Sequence, residues 1–214
     1  MDISIIGTGN MARGIGARLV AGGHAVTLLS RHPEKGAELA ATLQAATRHG
    51  GSVQVVPFGS PLHGEVVVLA VPYSAAAEAL HPYTAQLSGK ILVDISNPLT
   101  ATYDGLATLP DSSAAQEIAR LVPAETHVVK AFNTLFFPTL VTGEVAGQPL
   151  DVFIAGDDDA AKATVSQLVE DGGMRPIDAG PLAHAHYLEA LAFLGIKLPF
   201  SRSAHFQSAW KLIA

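Results

Sequence analysis

The sequence predicts an α/β protein with a doubly wound, mostly parallel sheet and a short C-terminal helical cap. Three observations predict it. Apolar runs of strand length alternate with helix-like segments almost to the end of the 214 residues. A glycine turn, Gly7-Thr-Gly-Asn-Met-Ala12, sits between the first strand and the first helix. From Pro181 the alternation stops and a helical tail follows.

Ile3–Ile6 is the first strand, and Met11–Val20 is a helix stopped by Gly22-Gly23. His24–Leu29 is the second strand. Pro33 opens the second helix at its first-turn position, where a missing N–H costs nothing. A short strand near Val53–Val56 comes next, then a broken stretch from Gly59 to Gly64 that reads as a loop. Glu65–Val71, ended by Pro72, is a continuous apolar run of the kind buried on both faces of a sheet. Tyr73–Leu80 reads as helix and Lys90–Ile95 as strand. The segment Asn97–Pro110 is a long loop at a strand's carboxyl end, a place where sites are built. Ser113-Ala-Ala-Gln116 has the form of a capping box. Val128–Phe132 and Asp151–Ala155 are strands, Ala160–Glu170 is a helix, and Pro176–Asp178 is the last strand. The tail is read as a helix to about Leu194, a break over Gly195–Pro199, and a short end segment. The expected organisation is residues 1–180 as a dinucleotide-binding domain and 181–214 as a cap contributing to the substrate site and to dimerisation.

Composition narrows the function. With no Cys, disulfides and thiolate-held metals are excluded. A net charge of −6 argues against a nucleic-acid surface. The apolar run Val66–Val71 is far short of the ~20 residues a membrane helix needs. The chain enters a strand at once, with no signal-like segment, so a cytoplasmic protein is expected.

In the glycine turn, Gly7 permits the tight bend, Gly9 lets backbone approach a pyrophosphate, and Ala12 lets helix and strand pack closely. Thr8, Asn10 and Met11 complete the expected phosphate cradle, with amides at a helix N-terminus. The second strand ends in Ser30 and Arg31 instead of the Asp or Glu that would accept from a ribose 2′-hydroxyl. A hydroxyl, a guanidinium and Lys35 in the next helix's first turn suit a 2′-phosphate, so the expected cofactor is NADP(H). His32 is read either as an adenine neighbour or as a surface residue.

Val71-Pro72 and Ser96-Asn97-Pro98 follow strands at the carboxyl edge and are placed beside the nicotinamide. Ala131 and Asn133, at the end of the Val128–Phe132 strand, are expected to complete that side. Lys130 in mid-strand either snorkels or pairs with a carboxylate. Asp157-Asp-Asp159 precedes a helix and reads as capping rather than metal binding. His184 and His186, two apart, point to different sides of a helix. The sequence assigns no catalytic side chain and no metal ligand. Hydride transfer between two cofactors needs stacking and exclusion of water more than an acid–base pair.

These residues resemble the NADP reductases that use the deazaflavin coenzyme F420. The resemblance runs through Gly7-Thr-Gly-Asn-Met, Gly23-His-Ala-Val, Ser30-Arg31 with Lys35, Ala70-Val-Pro72, Asp94-Ile-Ser-Asn-Pro98, Ser112-Ser-Ala-Ala, Val129-Lys-Ala-Phe-Asn-Thr134, Ala155-Gly-Asp-Asp158, Asp178-Ala-Gly-Pro-Leu182 and Leu188-Glu189. It implies NADP on Thr8–Met11, Ser30, Arg31 and Lys35, a deazaflavin stacked on the nicotinamide beneath the C-terminal segment, and a homodimer. Relatives with a flavin acceptor (FMN or FAD) or a membrane ferric-reductase partner share the family, so the second small-molecule substrate stays open. Lys197, Arg202 and Lys211 against Glu189 give the tail a positive balance that suits an acidic acceptor. Two other readings stand beside this one: a non-catalytic NADP(H)-binding redox sensor, and an NADPH-dependent imine or carbonyl reductase whose proton donor would be Tyr73, Ser96 or Lys130.

Overall fold

The computed structural model describes residues 1–45, 50–202 and 206–213, and the side chains of the last helix as far as 198. In chain order the elements are β1 (Asp2–Ile6), α1 (Asn10–Ala21), β2 (Ala25–Ser30), α2 (Pro33–Ala45), β3 (Ser52–Pro57), β4 (Val66–Leu69), α3 (Ala76–Leu80), β5 (Ile91–Asp94), α4 (Ala114–Ala119), β6 (His127–Lys130), α5 (Phe137–Thr142), β7 (Glu144–Val145), β8 (Gln148–Pro149), β9 (Asp151–Gly156), α6 (Asp159–Asp171), β10 (Arg175–Asp178) and α7 (Ala185–Arg202). The main sheet has the order β10-β9-β6-β5-β4-β1-β2-β3. Its winding reverses between β1 and β4, so a crevice opens beyond the carboxyl ends of those two strands.

Successive strand residues enter opposite cores. Ile3 and Ile5 face the layer that contains Ile15, Leu43, Val165 and Leu168, while Ile6, Leu29 and Leu69 face Leu80, Tyr83 and Ile118. Both faces are covered, which is why β4 and β5 are apolar at nearly every position.

The N-cap half of the expected capping box is present: the Ser113 hydroxyl accepts from the Gln116 amide at 3.1 Å, and it donates to Gln116 Oε1 at 3.2 Å. Asp158 caps α6 by accepting from the Ala161 amide at 2.7 Å, and Asp157 accepts from the Leu182 amide at 2.8 Å. The aspartate triplet therefore serves the helix start and the following turn.

Three features depart from the expected elements. The stretch Tyr73–Leu80 is split into a 3-10 turn and the short α3, followed by a second 3-10 segment over His81–Gln86. Between β6 and β9 lie α5 and the β7–β8 hairpin, which the apolar pattern did not announce. They carry the chain across α1, where an added Cβ on Gly14 would lie 2.7 Å from Leu140 Cβ. Arg18 fixes the crossing by donating to Val141 O at 2.9 Å and Thr142 O at 3.2 Å. The chain thus re-enters the sheet from the other end, and β9 runs antiparallel to β6.

The third departure is α7, which does not stop at Leu194 but continues to Arg202. Gly195 is a packing residue there, since an added Cβ would lie 3.2 Å from the Trp210 indole nitrogen and 3.6 Å from the Phe136 ring. Among the described residues no helix is long and apolar enough to cross a membrane.

Candidate functional site

Gly7 has φ +113°, and a Cβ on it would lie 2.5 Å from Ala70 O, so both conformation and space demand glycine. Gly9 differs. It has φ −81° and ψ −172°, and a Cβ on it would meet nothing within 4 Å. The fold itself does not require glycine at that position. A ligand backed against the turn would. Gly9 also caps α1 without any side-chain hydrogen bond, which leaves first-turn amides of a 12-residue helix free to face an anion.

Three cavities surround this turn. A polar one of about 250 Å³ lies between the starts of α1 and α2 and is lined by Thr8, Gly9, Asn10, Arg13, Lys35 and Glu38 among others. A groove of about 200 Å³ beside Gly7–Gly9 is lined by Arg31, His32, Phe58, Val71 and Pro72. The largest, about 650 Å³, opens beyond Asn10 and Met11. Asn97, Asn133, Tyr103 and the apolar side chains Leu135, Phe136, Phe137, Pro138, Ile196 and Phe206 line it.

The expected cluster of Ser30, Arg31 and Lys35 is divided by this geometry. Lys35 faces the polar cavity together with Arg13, a cation that sequence reading missed. Arg31 faces the groove, half exposed, with its guanidinium 5.7 Å over the Phe58 ring and 3.1 Å from Glu78 Oε1. Ser30 is 2% exposed, and its hydroxyl is occupied by the next turn. It donates to His32 O at 2.7 Å and accepts from the His32 amide at 3.1 Å. Thr8 Oγ1 lies 3.4 Å away. Ser30 therefore shapes the turn that presents Arg31.

Val71 and Pro72 belong to the groove with Arg31 rather than to the large cavity, because β4 ends at Leu69 and the chain turns there. Pro98 is buried, and its carbonyl closes the following loop by accepting from Ala107 at 2.6 Å. Ala131 is fully buried, with its amide donating to Asp94 O. Neither presents surface to a ligand, and both act through backbone.

Asn97 and Asn133 form a reciprocal pair at the ends of β5 and β6. Asn97 Nδ2 donates to Asn133 O at 2.9 Å, and Asn133 Nδ2 donates to Asn97 Oδ1 at 3.0 Å. Asn133 Oδ1 then remains buried without a partner, an acceptor in a residue that lines the large cavity. Such an atom costs about 1–3 kcal/mol unless something donates to it. The neighbouring Phe132 holds a left-handed φ of +63°.

Beneath the site Lys130 is fully buried. Its ammonium is 2.7 Å from Asp94 Oδ2, 2.6 Å from Ser96 O and 2.7 Å from Glu189 Oε1. Of the two readings of Lys130, pairing is the observed one. Burial pushes the Glu189 carboxyl up, against Lys130 and the Ala114 amide at 3.1 Å, which pull it down. Tyr73 donates its hydroxyl to Glu117, and that bond raises its pKa to about 12. His184 and His186 hydrogen-bond to Ala179 O and Ala183 O, and no group of metal-binding side chains occurs among the described residues.

The tail also differs from expectation. Lys211 pairs with the buried Asp151 at 2.6 Å, so it is not a free cation for an acidic ligand, while Lys197 is exposed with its ammonium 5.5 Å over the Phe193 ring. The side chain of Arg202 lies outside the described residues. The contribution of the tail is apolar: Phe206 packs on Phe136 with ring centroids 5.0 Å apart.

Comparison with known proteins agrees with this arrangement. The family model "NADP oxidoreductase coenzyme F420-dependent" matches residues 2–98. The F420-dependent NADP reductase of Methanothermobacter marburgensis is 32% identical over 209 residues, covering 92% of both proteins. The metalloreductase STEAP3 of Rattus norvegicus is 37% identical over 189 residues, but the chain spans only 36% of its length. A crystal structure from Arthrobacter sp. FB24, provisionally named an F420-dependent NADP-reductase, superposes with a TM-score of 0.85 at 29% identity and 99% coverage of each chain. The chain belongs to the coenzyme F420-dependent NADP oxidoreductase family and is an NADP-dependent oxidoreductase.

Proposed function

We propose that this enzyme transfers a hydride between NADP(H) and coenzyme F420 or a related flavin. One observation carries the reading: the polar cavity, the Arg31 groove and the large apolar cavity all meet at Thr8–Met11. In this reading Asn10, Arg13 and Lys35 hold phosphate, and Arg31 meets the 2′-phosphate after leaving Glu78. Val71, Pro72 and Phe58 flank the adenosine. Met11, Asn97 and Asn133 receive the nicotinamide, with Asn133 Oδ1 accepting from its carboxamide. Held there, NADPH would supply a hydride from its C4 position, and the acceptor ring would take up that electron pair and a solvent proton, leaving NADP⁺.

The protein aligns the two rings and keeps water away through Leu135, Phe136, Phe137 and Ile196. Residues 1–180 would then hold NADP(H), and residues 181–214 would cover the acceptor. A homodimer would form through the exposed apolar face of α7, which presents Tyr187, Leu194 and Leu198. Of the three donors that an imine or carbonyl reductase could use, Tyr73 is committed to Glu117 and Lys130 is sealed between two carboxylates, while the Ser96 hydroxyl is buried without a partner and does not line the large cavity.

Steady-state oxidation of NADPH with F420, FMN and FAD tests the proposal. Turnover with one of these is expected. Tight NADPH binding without turnover on any of them would replace the enzyme reading with the sensor.

A further inference from the structure

The loop after β5 presents one side chain that the cofactor reading does not use. Tyr103 stands at its tip with a left-handed φ of +57°, is 57% exposed, and lines the large cavity. A tyrosine in that conformation is strained, and such strain persists where the surrounding structure enforces it, commonly at ligand clamps. Here the enforcement is visible. The Thr100 hydroxyl donates to Asp104 Oδ1 at 2.6 Å and accepts from the amides of Asp104 at 3.1 Å and Gly105 at 3.2 Å. The Tyr103 amide donates to Thr100 O at 3.0 Å, and Leu99 bridges Leu106 behind the turn. The ring is thus held out by a braced loop without being packed into the fold. The other aromatic rings of the lining are engaged: Phe136 packs on Phe206, and Phe137 lies under the Arg13 guanidinium. Among the described residues Tyr103 makes no ring contact.

We propose that Tyr103 is a specificity-determining residue of the acceptor cavity, its ring stacking on the flat heteroaromatic system of the hydride acceptor. This rests on the large cavity being the acceptor site. Stacking on an aromatic side chain suits a planar ring and is indifferent to the groups attached to it. The residue thereby selects planar acceptors as a class. It lines neither the polar cavity nor the Arg31 groove, where the phosphates and adenosine of NADP(H) are assigned, and shares only the nicotinamide end, through Asn97 and Asn133, with that cofactor.

The test uses the full chain with Tyr103→Gly and Tyr103→Phe. It measures KM and kcat with F420 and FMN, quenching of FMN or F420 fluorescence on NADP⁺-loaded protein, NADPH affinity and melting temperature. Tyr103→Phe should behave as wild type. Tyr103→Gly should raise KM and the acceptor dissociation constant about tenfold, with NADPH affinity unchanged. Its melting temperature should be equal or higher, because glycine adopts φ +57° without strain. Function and stability would then move in opposite directions, which a merely structural tyrosine does not allow. An unchanged acceptor KM in Tyr103→Gly, a parallel loss of NADPH affinity, or a Phe variant as impaired as the Gly variant would overturn the inference. If wild type turns over and Tyr103→Gly is unaffected, only this inference fails. If wild-type protein neither binds nor reduces F420 or FMN, the acceptor reading fails with it.

Discussion

Lys130 Nζ lies 2.7 Å from Glu189 Oε1, with both side chains fully buried, and this ion pair bolts the end of β6 to the first turns of α7. Asp94 completes the cluster from β5 at 2.7 Å. Buried pairs of this kind contribute little over an apolar replacement, but breaking one strands a charge in the interior. Lys130→Met, which leaves two carboxylates facing each other, should destabilise the protein by about 3–5 kcal/mol in urea unfolding.

Glu189→Gln should reveal the pH dependence of that cluster. Burial raises the folded pKa of Glu189 above its ordinary 4.5. A raised folded pKa means that this carboxyl's stabilising contribution is complete below pH 4.5 and is lost as pH climbs through the raised value. The stability of wild type relative to Glu189→Gln should therefore decline across that window. A difference that stays flat with pH would contradict the shift.

Gly7 and Gly9 should separate folding from binding. Gly9→Ala should leave stability within about 0.5 kcal/mol, since nothing lies within 4 Å of the new methyl. It should still weaken NADPH at least about tenfold, roughly 1.4 kcal/mol, by occupying the space for the pyrophosphate. Gly7→Ala should fail earlier, in the melting curve, because its methyl would sit 2.5 Å from Ala70 O.

Arg31→Ala should weaken NADPH by about 1.5–3 kcal/mol, the range for hydrogen bonds to charged groups, and leave NADH nearly unaffected. Glu78→Gln should tighten NADPH, since it removes the carboxylate that holds Arg31 at 3.1 Å and would repel a phosphate. Titration of both variants with both cofactors checks the pair. Equal losses of NADPH and NADH in Arg31→Ala would contradict the phosphate assignment.

Asp151 anchors the end of the chain. Burial opposes its charge, yet Arg175, Lys211 and the Leu212 amide hold its pKa at about 2. A depressed folded pKa means that this anchor is complete above pH 3.8 and is lost as pH falls towards 2. Asp151→Asn should release the segment at neutral pH. Trp210, the single tryptophan, donates to Leu191 O at 3.2 Å, so its fluorescence should report the release. Phe206 should leave the cavity wall with it, raising KM for the acceptor more than KM for NADPH.

The order of strands and helices through β5, the glycine turn, the Ser30-Arg31 strand end and both helix caps were determined by the sequence alone. Each depends on local rules: apolar period, glycine at a tight bend, and a side chain reaching an amide three residues on. What the sequence could not decide depended on distant partners. Gly195 looks like a helix end until Trp210 and Phe136 are seen against it. Lys130 could snorkel or pair by sequence, and its partners Asp94 and Glu189, 36 and 59 positions away, are named only by the fold. That the Ser30 hydroxyl closes the His32 turn, and that Arg13 reaches the polar cavity beside Lys35, is visible only in the fold. Sequence spacing specifies which residues share a face of one element. Which of them meet across elements is settled only when the strands stand side by side and the cores on both faces are filled.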